Sequence, residues 1–185
     1  AGSFWGKVDD DQSIATIRAG LEAGINLIDT APVYGDGHSE EVVGRALEGL
    51  KREDIVLATK CGRFTCETEK IRQEMETSLK RLKTDYIDLY QVHWPDDKVP
   101  FEETFGELEN MRKQGKIRYI GVSNFSVEQT EEASKHCQIV STQPQYSLLV
   151  RDIEKDILPY CVEKNIGILS YGSIGAGALT GKFKE

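Results

Sequence analysis

Four residues of the chain carry groups that can hold and move a proton: Asp29, Tyr34, Lys60 and His93. An apolar run over residues 25–28 stops on Asp29, a Pro-containing turn follows, and Tyr34 stands on that turn. The next two apolar runs, 55–59 and 86–92, stop on Lys60 and on His93. A carboxylate, a phenol, an amine and an imidazole can share proton-transfer work if the fold brings them together. Three later runs end in the same way: 119–122 on Ser123 and Asn124, 139–142 on Gln143, and 166–170 on Tyr171. Each residue also has a plainer reading. Asp29 could serve a turn, His93 a satisfied core, Tyr34 a loop surface, and Ser123-Asn124 a strand-to-helix cap. Lys60 is harder to explain that way, because an unpaired lysine is rarely buried. Jointly, in this order and at successive strand ends, the residues point to a site.

The segments between the runs must position these groups. Ile14, Ile17 and Leu21 recur at helical spacing, with an N-cap expected at Asp11–Ser13 and a stop at Gly24. Ser39 reads as the cap of a second helix, with Glu40 and Glu41 in its first turn and an apolar face of Val42, Val43, Ala46, Leu47 and Leu50. A third helix carries Ile71, Met75, Leu79 and Leu82 on one stripe. Further helices are expected over 102–114, 127–135 and 153–164, the last capped by Asp152 with Ile153, Ile157, Leu158 and Cys161 inward. Residues 1–11 and 62–68 read as loops. Strands alternating with helices predict an α/β fold with right-handed crossovers. Two architectures satisfy this pattern: an open doubly wound sheet and a (β/α)8 TIM barrel. In an open sheet only the strands beside the switch point feed the crevice. In a barrel every strand end faces one mouth. Six polar strand ends therefore favour the barrel.

Composition narrows the partners. The chain has 185 residues and a formal net charge of -8. That argues against a nucleic-acid surface, while a local positive pocket could still take an anionic cofactor. No run of 18 apolar residues or secretory leader pattern is present, so no membrane partner and a cytoplasmic location are expected. Cys61, Cys66, Cys137 and Cys161 form no CxxC pair, and no His spacing suggests a metal. Reduced thiols are expected, with a Cys61–Cys66 bridge as the alternative. His38, His136 and the acidic group Glu67, Glu69 and Glu74 read as solvated. The Gly-rich stretch 172–177 is a weak phosphate-loop signal whose order differs from a dinucleotide fingerprint.

Three stretches carry a family resemblance: Gly24-Ile25-Asn26-Leu27-Ile28-Asp29-Thr30-Ala31 with Tyr34-Gly35, Leu82 to His93, and Gly115 to Phe125. They stand in the right order, and the chain resembles the aldo-keto reductase superfamily over essentially all 185 residues. The resemblance implies a (β/α)8 barrel with a nicotinamide cofactor at its C-terminal mouth. Against that pattern residues 1–185 read as a single domain, incomplete at both ends, with strands 2–7 represented and strands 1 and 8 missing. It implies reduction of a small aldehyde or ketone, with Tyr34 as proton donor assisted by Asp29, Lys60 and His93. A free phenol, with a pKa of about 10, is a weak acid, and a buried Lys60 cation is expected to lower it. Asp29 would hold Lys60, and His93 would orient the carbonyl oxygen. Ser123, Asn124 and Gln143 match the carboxamide binders and Tyr171 the aromatic stacked on the nicotinamide. The backbone from Gly172 to Leu179, including Ile174 and Gly177, would approach the pyrophosphate. Trp94 is expected to line the substrate pocket, with a loop anchor as its plainer reading. The family expectation is NADP(H), with NAD(H) as the alternative. Two other readings are a cofactor-binding regulatory subunit, like the channel-associated β subunits of the superfamily, and an inactive truncated fragment.

Overall fold

The computed structural model describes residues 8–62 and 65–182. Most of the expected N-terminal loop, and Arg63 and Phe64 of the 62–68 loop, lie outside the described residues. Six strands form one parallel sheet: β1 (Leu27–Asp29), β2 (Val56–Cys61), β3 (Ile87–Val92), β4 (Ile117–Ser123), β5 (Ile139–Gln143) and β6 (Gly167–Ile168). Each strand pairs with its neighbours in sequence, in the order β1-β2-β3-β4-β5-β6. The order never reverses, so the sheet has no switch point and the doubly wound alternative falls away. The six strands curl into half a barrel.

The crossovers are α1 (Asp10–Glu22), α2 (His38–Leu47), α3 (Thr68–Leu82), α4 (Phe101–Lys113), α5 (Val127–Ser134) and α6 (Ile157–Lys164). Alternate strand residues explain the two faces of the sheet. Leu57, Cys61, Tyr90, Val92, Ile120 and Val122 pack outward in one cluster with Val43, Ile71, Met75, Leu82, Phe105, Leu108 and Met111. The intervening residues line the concave face: Leu27 and Asp29, Ala58 and Lys60, Leu89, Gln91 and His93, then Gly121 and Ser123. Strand register sets Lys60 beside Gln91, Gln91 beside Gly121, and Gly121 beside Ser141.

Several boundaries differ from the sequence expectation. The cap of α1 is Asp9, whose carboxylate accepts from Gln12 N at 3.0 Å. Helix α2 begins after Gly37, which adopts φ 91°, so Ser39 is inside the helix and does not cap it. The expected helix 153–164 is split. A 3-10 turn covers Asp152–Glu154, and Asp156 caps α6 through Ile157 N at 2.6 Å. Glu154 is held instead by Tyr146 and Arg151. All four cysteines are free thiols, which excludes the Cys61–Cys66 bridge in this structure. Glu74 is not merely solvated: it accepts from Gly62 N at 2.8 Å. His38 bonds Asp10 at 2.8 Å on a partly exposed surface, and His136 is half-buried. No helix among the described residues is long and apolar enough to cross a membrane.

Candidate active site

Asp29 is the last residue of β1 and pairs in register with Ala58, so Lys60, two residues further along β2, emerges on the same face. The Lys60 ammonium donates to Asp29 Oδ1 at 3.0 Å, Asp29 Oδ2 at 2.8 Å and the Thr30 carbonyl at 2.9 Å. Lys60 is fully buried, and burial draws its pKa below the usual lysine range against the opposing pull of Asp29. A buried charge of this kind requires its partners. Gln91, also fully buried, donates its amide to the same Asp29 Oδ1 at 3.3 Å.

The turn bearing Tyr34 is pinned at both ends. Thr30 donates to the Ser39 hydroxyl at 2.9 Å, and Thr59 donates to Glu40 at 2.7 Å. Between them Gly35, Asp36 and Gly37 all take positive φ, which brings the chain sharply round into α2. Tyr34 ends up partly exposed, its ring edge-on to His93 with centroids 6.0 Å apart. Lys60 Nζ lies 5.2 Å from the Tyr34 ring centre.

The proton affinities correct one expectation. Lys60 was expected to lower the Tyr34 phenol. Burial raises it, with further contributions from the Asp29 carboxylate and Tyr171. The physical reason is that Asp29 already neutralises the Lys60 charge, so burial and the carboxylate prevail. His93 goes the other way: burial, then the Lys60 charge, push its pKa down to about 3. Its imidazole is therefore neutral at ordinary pH. Its backbone is fixed between Cys61 O, which accepts from His93 N at 2.9 Å, and Asn124, whose amide donates to His93 O at 3.0 Å. Trp94 stacks on the imidazole at 3.6 Å between centroids while remaining substantially exposed.

The remaining strand ends form a connected polar group beside this one. Asn124 takes φ 61° directly after β4. Its amide also donates to Ser123 Oγ at 3.1 Å, and its Oδ1 accepts from Tyr171 OH at 2.9 Å. Ser123 in turn donates to the Gln143 carbonyl at 2.8 Å. Amides and a hydroxyl at adjacent strand ends are the donor and acceptor set that a carboxamide needs, and Tyr171 offers a partly exposed ring. After it, Gly172, Gly175, Ala176 and Gly177 have positive φ, and the Ile174 carbonyl accepts from Gly177 N and Leu179 N. Gly175 N likewise donates to the Gly172 carbonyl at 2.8 Å, so the turn is closed by its own backbone. The site residues expected from sequence thus fall into two touching groups: Asp29, Tyr34, Lys60, His93 and Trp94 in one, and Ser123, Asn124, Gln143 and Tyr171 in the other. Gly172, Ile174 and Gly177 follow on the adjoining turn. Sequence reasoning missed Gln91, Thr30, Ser39 and Glu40. For Gln91 a signal existed: it is two residues before His93 in a strand and so shares its face.

The profile of the Aldo/keto reductase family matches residues 1–185. Aldo-keto reductase YhdN of Bacillus subtilis (strain 168) is 48% identical over 193 aligned residues, covering 100% of this chain and 58% of the relative. The glycerol dehydrogenase AKR11B4 from Gluconobacter oxydans superposes with a TM-score of 0.91 at 47% identity, over 98% of this chain and 59% of that one. An aldo-keto reductase from Klebsiella pneumoniae, solved in complex with NADPH, gives a TM-score of 0.86 at 38% identity, over 93% of this chain and 61% of that one. The chain therefore spans a little over half the length of the relatives it matches.

Proposed function

The chain belongs to the Aldo/keto reductase family, and on that basis we propose that it reduces an aldehyde or ketone to an alcohol with NADPH, Tyr34 donating the proton. The observation that carries this reading is the fully buried Lys60, ion-paired to Asp29 directly beneath a partly exposed Tyr34 and beside a neutral His93. A reduced nicotinamide, when bound, supplies hydride to the carbonyl carbon. The protein must then manage the oxygen. Neutral His93 retains an N–H to donate to the carbonyl oxygen and orient it. Tyr34 gives up its proton as negative charge develops there, and the Lys60 cation steadies the phenolate that remains. Tyr34 is exposed enough to regain a proton from water.

The residues near β4, β5 and β6 fit the cofactor. Ser123, Asn124 and Gln143 would hold the carboxamide, Tyr171 would cover the ring, and the backbone at Gly172, Ile174 and Gly177 would meet the phosphates. Trp94 would border the substrate. NADPH is favoured by the Klebsiella relative bound to it, with NADH as the alternative cofactor.

The test is Tyr34→Phe in the full-length enzyme. Losing a positioned acid should cost about 10²–10⁴-fold in turnover of an aromatic aldehyde. Quenching of tryptophan fluorescence by NADPH should persist. Undiminished turnover would overturn the assignment. Quenching without any turnover in the native enzyme would identify a regulatory, cofactor-binding role.

A further inference from the structure

Gln91 has no role in the chemistry described so far, yet its setting is unusual. It is a polar residue with no exposed surface, next to last in the most buried strand of the sheet. Its register neighbours on the concave face are Lys60 on one side and Gly121 on the other. Gly121 is small for a reason: a Cβ there would come within 2.5 Å of Ser141 Oγ and 3.1 Å of Gln91 Cγ. The Gln91 stem is thereby wedged, and its amide reaches Asp29 Oδ1 at 3.3 Å, the oxygen that Lys60 holds at 3.0 Å. Gln91 Oε1 and Ser141 Oγ are both buried without a hydrogen-bond partner among the described residues. A buried amide oxygen left unpaired costs stability. Packing alone does not account for an amide here, since an apolar side chain of the same shape would avoid that cost.

We propose that Gln91 is a positioning residue: its amide shares Asp29 Oδ1 with Lys60 and so sets how firmly the carboxylate grips the ammonium beside Tyr34. The proposal rests on the reading of Tyr34 as proton donor. The charged and titratable groups facing this point are Asp29 from β1, Lys60 from β2, His93 from the end of β3, Tyr34 itself and Tyr171 after β6. A donor on Asp29 partly neutralises the carboxylate. Without it, Asp29 repels the forming phenolate more strongly, and Tyr34 must hold its proton to higher pH.

The experiment compares the full-length enzyme with Gln91→Met, which keeps the volume and loses the donor, and with Gln91→Glu, which adds a carboxyl in place of the amide. Tyr34's own titration is read as the tyrosinate ultraviolet difference between each protein and its Tyr34→Phe counterpart. The second readout is the alkaline limb of the kcat profile. The expected result is an alkaline shift of both in Gln91→Met and a larger one in Gln91→Glu. At the pH optimum KM should change less than about twofold, since only steps after binding are touched. Unmoved Tyr34 titration in folded variants would overturn the proposal and leave Gln91 as packing. If Gln91→Met does not fold, Gln91→Glu decides alone by the same criterion. A Tyr34 titration that shifts while the kinetic limb stays put supports the coupling and overturns Tyr34 as proton donor, so the two claims fail separately.

Discussion

His93 keeps its imidazole neutral because it is enclosed and faces the Lys60 charge, and this has a consequence for stability. In the unfolded chain a histidine takes its proton near the usual 6.5, whereas the folded protein resists until about 3. Between those values the unfolded state binds more protons, so stability falls as the pH drops from 6.5 toward 3. Urea denaturation of wild type and His93→Gln across that window should show a shallower pH slope in the variant. Equal slopes would mean that His93 protonates in the folded state. Three of the four residues of the proposed proton relay were legible in the sequence because Asp29, Lys60 and His93 each end an apolar run, where a packed strand has no use for a charge, while Tyr34 stood out only by its place on the turn after Asp29. The proton affinity of Tyr34 was not legible. It depends on how completely Asp29 neutralises Lys60, and that is a matter of distances set by three strands.

Helix α2 shows why the elements were easier to find than their ends. Of its expected apolar face, Val42, Val43 and Ala46 are buried and Leu47 is half-buried, whereas Leu50 lies beyond the end of the helix and is exposed. Its start was misplaced because Ser39 has two uses, and the fold takes the hydroxyl to bind Thr30. The same helix contains a close approach that no periodicity reveals. A Cβ on Gly44 would meet Arg81 O at 2.3 Å and Leu82 Cα at 3.1 Å, both backbone atoms at the end of α3. Ala at Gly44 gains about 1 kcal/mol of helix propensity. Forcing two backbones apart costs about 1–3 kcal/mol, and neither can swing aside as a side chain would. Gly44→Ala should therefore lower Tm despite the better helix former. Turnover should fall as well, because α2 carries Ser39 and Glu40, which pin the Tyr34 turn. A raised Tm would show that α2 and α3 can separate freely.

Across the sheet, the proposed site gathers at the C-terminal ends of the strands, while the opposite end is held by a compact ionic cluster. Asp88, nearly fully buried, accepts from Arg52 at 2.6 Å, Arg118 at 2.8 Å and Leu57 N at 2.9 Å. Both guanidinium groups lie over Tyr86, at 4.1 and 4.2 Å. Asp88→Asn leaves two cations competing for a neutral amide and should reduce stability by about 3 kcal/mol in chemical denaturation. Turnover of the folded variant should be unchanged, because conserving strand positions is enough for the distant mouth. A matching loss of kcat would show that the two ends are coupled.

The uninterrupted strand order also sets a timetable for the nascent chain. Lys60 leaves the ribosome 31 residues after Asp29, and Gln91 follows 62 residues after it. Until β2 has been made, Asp29 lacks its native cation, and until β3 has been made, its second donor is missing as well. The Asp29 carboxylate is thus partnered one strand at a time as the polypeptide lengthens, while Lys60 meets both of its acceptors, Asp29 and Thr30, as soon as it is made.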